Sequence, residues 1–127
     1  MPSGSETILL VEDDDRVRDL VLHILRAQGY TLLEALNGHE ALRLAADHAG
    51  PIHLLLTDLV MPGINGQILS GQLCQTRPGL RVLFVSGYTD NAVAHQGVLE
   101  PGVAFLEKPF SPVALTRKVR QVLDVIR

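Results

Sequence analysis

Short apolar runs alternate with amphipathic stretches along this chain. Thr7–Val11 is continuously apolar after its first residue, as expected of a strand buried on both faces. Val17, Leu20, Val21, Ile24 and Leu25 then recur at i, i+3, i+4, i+7 and i+8, one helical stripe closed by Gly29. Residues 30–35 read as a second strand, with Tyr30 and Thr31 favouring extended backbone. Asn37 suits the cap of a helix carrying Ala41, Leu42, Ala45 and Ala46, ended by Gly50-Pro51. A third strand is predicted at 52–57, followed by a turn-rich loop from Met61 to Gly66. A helix at 68–76 stops before Pro78-Gly79, and a fourth strand follows at 81–85. The pattern continues with a short helix at 89–96, a loop at 97–102 and a fifth strand at 103–106. Ser111 caps a last helix with Pro112 at its first position; Val113, Leu115, Val119, Val122, Leu123 and Ile126 are its apolar positions.

Strand and helix alternate five times, which implies an α/β fold: a parallel sheet with helices on both faces. For five strands joined by right-handed crossovers the expected arrangement is flavodoxin-like and doubly wound, with strand order 2-1-3-4-5. Ligands in such sheets bind outside the carboxyl ends of the strands, at the point where the order reverses. That point lies between the first and third strands, where Asp13 and Asp58 emerge.

At 127 residues the chain suits one domain with a sizeable core, here 7–127, with 1–6 expected as a flexible lead-in or linker. A hydrophobic content of 46% fits a soluble globular domain, and no apolar run is long enough to span a bilayer. The start lacks the features of a secretory signal, and the single cysteine, Cys74, provides no disulfide framework. A cytoplasmic location is therefore expected, with no membrane contact by the domain itself. A net charge of −3 without a basic stripe excludes direct nucleic-acid binding as the first expectation.

The polar residues at the strand ends are chemically unlike one another. Glu12-Asp13-Asp14-Asp15 follows the first strand, Asp58 the third, Ser86 the fourth and Lys108 the fifth. Singly each has an ordinary explanation: a solvated acidic turn at a helix start, a turn cap, a loop serine, a surface lysine. At one edge of a parallel sheet they converge. Clustered carboxylates repel unless a cation intervenes, and hard oxygen ligands select Mg²⁺ or Mn²⁺ beside a phosphate. A carboxylate such as Asp58 is a competent nucleophile toward phosphorus. Lys108 can neutralise a transferring phosphoryl group, and the Ser86 hydroxyl can donate to one of its oxygens.

With these residues assembled, the chain resembles the receiver domain of two-component response regulators. The motifs are Val11-Glu12-Asp13, the segment from Thr57-Asp58 through Met61-Pro62-Gly63 to Gly66, Val85-Ser86-Gly87, and Lys108-Pro109-Phe110. The resemblance implies that Asp58 is the phosphoacceptor. It implies Mg²⁺ bound by Glu12, Asp13, Asp58 and the carbonyl of Val60, with Lys108 and Ser86 holding phosphoryl oxygens. Phe105 falls at the family's aromatic switch position, turning inward as Ser86 moves. The implied donor is a phosphohistidine on a histidine kinase or phosphotransfer protein. The output would be a changed fourth-strand, fourth-helix and fifth-strand face, through which a homodimer could also form. Val60 and Tyr88, each two residues past a reacting side chain, would shield rather than orient a hydrolytic water, so slow self-dephosphorylation is expected.

The stretch from Val82 to Asp90, together with Leu99-Glu100-Pro101-Gly102 and Phe105–Phe110, is further similar to receivers at the C-terminus of hybrid sensor histidine kinases. A second class of function shares much of this inventory. Asp13-x-Asp15 after an apolar strand is similar to the first motif of haloacid-dehalogenase-type phosphatases, with Asp13 as nucleophile and Asp15 as acid/base. Against it, the chain is short, no paired-acid motif follows Lys108, and the Asp58-to-Gly66 segment would have no role.

Overall fold

The structure, a computed structural model, describes residues 3–86 and 104–125. The predicted helix at 89–96, the loop at 97–102, Tyr88, the start of the fifth strand at Val103 and Ile126 lie outside these described residues. Strands β1 (Thr7–Val11), β2 (Thr31–Ala35), β3 (Leu54–Asp58), β4 (Arg81–Ser86) and β5 (Ala104–Glu107) form one sheet in the order β2-β1-β3-β4-β5. Every neighbouring pair is parallel. The helices are α1 (Asp15–Ala27), α2 (Gly38–Asp47), α3 (Gly66–Thr76) and a C-terminal helix, Pro112–Leu123.

Alternation along each strand sends side chains to two separate cores. Ile8, Leu10, Leu54, Leu56, Leu83 and Val85 pack against α1 and the C-terminal helix. Leu9, Val11 and Leu55 pack on the other face, against α2 and α3. All five residues of β3 are buried, as befits the central strand.

The helix starts follow local side-chain chemistry. Asp14 Oδ1 accepts from Arg16 N and Val17 N, Asn37 Oδ1 from Glu40 N, Asn65 Oδ1 from Ile68 N, and Ser111 Oγ from Ala114 N. Pro112 occupies the first turn of the last helix as expected. Gly29 takes a φ of +101° just past α1, the conformation that a residue with a Cβ resists.

The boundaries differ from expectation in a few places, each with a local cause. Tyr30 lies outside β2 because its N–H is bonded to the Leu25 carbonyl at the end of α1, 3.3 Å away. The third helix starts at Gly66 rather than residue 68, since the Asn65 cap organises the turn ahead of the apolar positions. The stripe on α1 is rotated: Leu20 is 50% exposed, while Leu22 and Arg18 are buried beside Val21, Ile24 and Leu25. Arg18, Leu22 and Leu25 follow at i, i+4 and i+7, and that row faces the sheet. On the C-terminal helix Val113 is exposed and Thr116 takes the inward place, its hydroxyl returning to the carbonyls of Pro112 and Val113.

The segment ahead of β1 is tied to the body at residues 3–6. Gly4 N donates to Gln28 O, Thr31 N to Glu6 O, and Arg120 donates to Ser3 O and to both Glu6 carboxylate oxygens. These residues, expected as part of a flexible lead-in, form a hydrogen-bonded strap.

Candidate functional site

Register brings the strand ends level. Val11 pairs with both Ala35 and Thr57, Asp58 with Val85, and Ser86 with Glu107. Backbone bonds continue the alignment past the strands: Glu12 N to Ala35 O, Leu59 N to Val85 O, and Lys108 N to Ser86 O at 2.8 Å. Glu12, Asp58, Ser86 and Lys108 are thereby carried to one edge by main-chain geometry, before any side-chain interaction is considered.

At that edge Glu12, Asp13 and Asp58 form one cluster, with a ligand oxygen of each within 4.8 Å of the others. Glu12 and Asp58 are buried and Asp13 is exposed. Lys108 Nζ lies 2.7 Å from Glu12 Oε1 and 2.8 Å from Asp58 Oδ1. The second Glu12 oxygen accepts from Asp14 N at 3.2 Å. Ser86 is fully buried, and among the described residues its hydroxyl has no hydrogen-bond partner.

Electrostatics separate the carboxylates. Burial pushes the Asp58 carboxyl up, and the adjoining Glu12 carboxylate adds to this, raising it to about 8 despite Lys108. Burial acts on Glu12 in the same sense, but its hydrogen bonds with Asp58, Lys108 and Asp14 N outweigh it and hold Glu12 below the usual range. Burial would lower Lys108; its contacts with Asp58 and Glu12 instead hold it above the ordinary ammonium value. Three carboxyl groups clustered around a single ammonium carry more acid than it can neutralise and leave unused oxygen lone pairs. That donor set suits a hard divalent cation, and Ser86, at the end of the neighbouring strand, carries a hydroxyl donor with no partner among the described residues.

Of the predicted site residues, Glu12, Asp13, Asp58 and Lys108 meet directly, and Ser86 sits at the adjoining strand end. Val60 follows in the loop after β3 and is 51% exposed. Phe105 is half-buried on β5, in register with Phe84. Asp15 turns away from the cluster to pair with Arg18 and is otherwise exposed. An acid/base role for it in the phosphatase reading has no counterpart in this arrangement. One contributor, Arg18, belongs to no motif in the sequence, and Gly66 stands there as a motif residue without an assigned role. Arg18 donates to the Glu12 carbonyl from a buried position, and its only sequence signal is a cation one turn ahead of Leu22 in the inward row of α1. Gly66 packs its Cα against the Asp58–Leu59 backbone; the cue was a glycine at a helix start, where other residues would also be tolerated.

A family model for the response regulator receiver domain matches residues 8–120. The sensor kinase CckA of Brucella abortus is 39% identical over 122 residues, 96% of this chain and 13% of that protein. The transcriptional regulatory protein YbdJ of Bacillus subtilis is 31% identical over 92% of this chain, which spans half of its length. Among solved structures, the receiver domain of the hybrid histidine kinase CckA matches with a TM-score of 0.70 and 39% identity, covering 93% of this chain and 99% of that one. A CheY-like receiver domain protein from Methanospirillum hungatei matches with a TM-score of 0.79 and 29% identity over 95% of both chains.

Proposed function

Because the chain belongs to the response regulator receiver domain family, and so is a phosphoacceptor signalling domain of two-component systems, we propose that Asp58 is the residue phosphorylated. The observation that carries this is the placement of Asp58: buried at the end of the central strand, 2.8 Å from Lys108 Nζ, and within reach of two further carboxylates. An Asp58 oxygen would attack the phosphorus of a phosphohistidine on a histidine kinase or phosphotransfer protein. The new O–P bond forms in line as the P–N bond breaks, and the imidazole leaves. Lys108 would hold a phosphoryl oxygen and neutralise charge gathered there. The Ser86 hydroxyl, without a partner among the described residues, would donate to a second oxygen once transfer is complete.

Glu12, Asp13, Asp58 and the Val60 carbonyl would hold Mg²⁺, or Mn²⁺ in its place. When bound, the ion supplies charge stabilisation to the equatorial oxygens and compensates the clustered acids. Ser86 and Phe105 would act as the switch, biasing two states of the β4–β5 face. That face would also offer a surface for a homodimer. The similarity to the Brucella kinase supports a place for this domain, spanning 7–127, among hybrid-kinase receivers, acting on the cytoplasmic side. Among the described residues no helix is long and apolar enough to cross a membrane.

The test is incubation with acetyl phosphate and Mg²⁺, followed by mass spectrometry. One added phosphoryl group on the peptide containing Asp58, absent in Asp58→Asn and after chelation, is the expected result. Label at another residue, or continuous phosphate release that depends on Asp15, would overturn the assignment.

A further inference from the structure

Arg18 is a buried cation that the phosphoryl chemistry does not use. It is only 9% exposed, yet it sits in the inward row of a helix that otherwise presents Val21, Leu22, Ile24 and Leu25. Its Nη1 donates to the Glu12 carbonyl at 2.9 Å, and its Nη2 to Asp15 Oδ1 at 2.5 Å. Its Nε is buried with no partner among the described residues. Burying a guanidinium costs stability unless its geometry secures something in return. What it secures is the peptide unit joining Glu12 to Asp13, the two acids that lead into α1.

We infer that Arg18 is a positioning residue for the cation site: its guanidinium fixes the Glu12–Asp13 peptide so that both carboxylates face Asp58. This rests on the reading of Glu12, Asp13 and Asp58 as metal ligands. The Arg18 contact adds to the local bonding of the turn. Glu12 N is held by Ala35 O, Asp14 N by the Glu12 side chain, and Arg16 N and Val17 N by the Asp14 side chain. The Glu12 carbonyl is a further main-chain group of that turn, and Arg18 holds it from the first turns of α1. Without Arg18, repulsion among the clustered acids acts on a peptide that has lost its carbonyl tie.

The sign of the effect separates positioning from charge. A cation near a metal site repels the metal, so losing Arg18 by electrostatics alone tightens Mn²⁺ or Mg²⁺ binding, the more so because Asp15 is left unpaired. Losing a positioning contact weakens it. Partners that orient metal ligands contribute roughly tenfold or more to affinity. Arg18 acts through main chain rather than through a ligand atom, so about tenfold is expected for Arg18→Met, with a smaller loss for Arg18→Lys.

The measurement is Mn²⁺ affinity by electron paramagnetic resonance, with Mg²⁺ competition, on the wild type, Arg18→Met, Arg18→Lys, Asp13→Asn and Leu73→Ala. Leu73 lies in the other core layer and supplies a destabilised control whose melting temperature is compared with that of Arg18→Met. Weaker binding in Arg18→Met, partial recovery in Arg18→Lys and normal affinity in Leu73→Ala support the inference. Affinity unchanged or tightened in Arg18→Met, or lost equally in Leu73→Ala, overturns it. If the wild type binds no Mn²⁺, or Asp13→Asn binds as well as the wild type, the metal reading itself fails and takes this inference with it.

Discussion

Asp58 carries opposing demands. As the proposed phosphoacceptor it would have to be ionised to attack phosphorus, but burial and Glu12 push it up to about 8, which favours a proton there near neutrality. A divalent cation competes with that proton, because only the carboxylate binds it. Mg²⁺ affinity is therefore expected to increase with pH, by up to about tenfold per unit below the Asp58 titration, and to level off above it. Calorimetric titration from about pH 6 to about pH 9 checks this; a flat profile would show that the shared proton does not block the site. Two further residues are expected to bear on how long the phosphoryl group stays. Val60, two residues past Asp58, is half-exposed and apolar, and its side chain cannot hydrogen-bond a water. Tyr88, outside the described residues, is bulky. The double variant Val60→Asn, Tyr88→Ala should shorten the half-life of the phosphorylated form, because a carboxamide in place of Val60 can hydrogen-bond a water where valine cannot. An unchanged or longer half-life, followed by loss of label, would remove these residues from the account.

The element scale shows why some of the site was legible and some was not. Strand ends could be read because a buried parallel strand is a continuous apolar run, and the first polar residue after it marks the sheet edge. Glu12, Asp58, Ser86 and Lys108 were found in that way, and β-strand register then aligns them without further instruction. The rotated stripe of α1 was not legible, because Leu20 and Leu22 are equally apolar in sequence and the choice between them is made by packing under the sheet. The role of Gly66 was hidden for a related reason: close approach of backbone to backbone leaves no pattern in a single chain. A Cβ built at Gly66 would collide with the Asp58 carbonyl oxygen, and would lie 3.1 Å from Leu59 Cα and 3.2 Å from the Asp58 carbonyl carbon. None of those atoms can swing aside. Gly71, five residues later in the same helix, has nothing within 4 Å of its own hypothetical Cβ. Gly66→Ala is thus expected to destabilise by about 2 kcal/mol and to slow labelling at Asp58 by displacing its backbone. Gly71→Ala should instead stabilise by about 0.5–1 kcal/mol through helix propensity and leave labelling unchanged. Chemical denaturation with acetyl-phosphate labelling on both variants decides it; equal behaviour of the two would show that α3 does not bear on the acceptor.

For the molecule as a whole, reactive groups and mechanical ties occupy opposite ends of the sheet. The carboxyl edge holds the acids and Lys108. The amino edge holds a node in which Arg120, on the C-terminal helix, reaches the Glu6 carboxylate, Ser3 O, the Tyr30 hydroxyl and Asp124. This node joins the strap ahead of β1 to the last helix, closing the chain on itself behind the cores. The hydrogen bonds from Arg120 hold Glu6 well below the usual carboxylate range, at about 2 against an ordinary 4.5. A carboxyl lowered in the folded state adds stability that is present above about pH 4.5. That contribution is lost as the pH falls from there toward 2 and the carboxylate is protonated. Both side chains keep nearly a quarter of their surface in solvent, so screening reduces the contribution to about 1 kcal/mol, well under what the bare shift implies. Glu6→Gln should lower stability at neutral pH by about that amount and flatten the acid limb of the stability profile, with raised salt diminishing the difference. Phosphoryl uptake at Asp58 should be untouched, because the node lies at the far edge of the sheet. Thermal melts of wild type and Glu6→Gln across the acid range, paired with labelling rates at neutral pH, test both halves. An acid limb as steep in Glu6→Gln as in the wild type would assign the loss of stability to other carboxylates. Slowed labelling in a still-folded variant would mean that the two ends of the sheet are coupled.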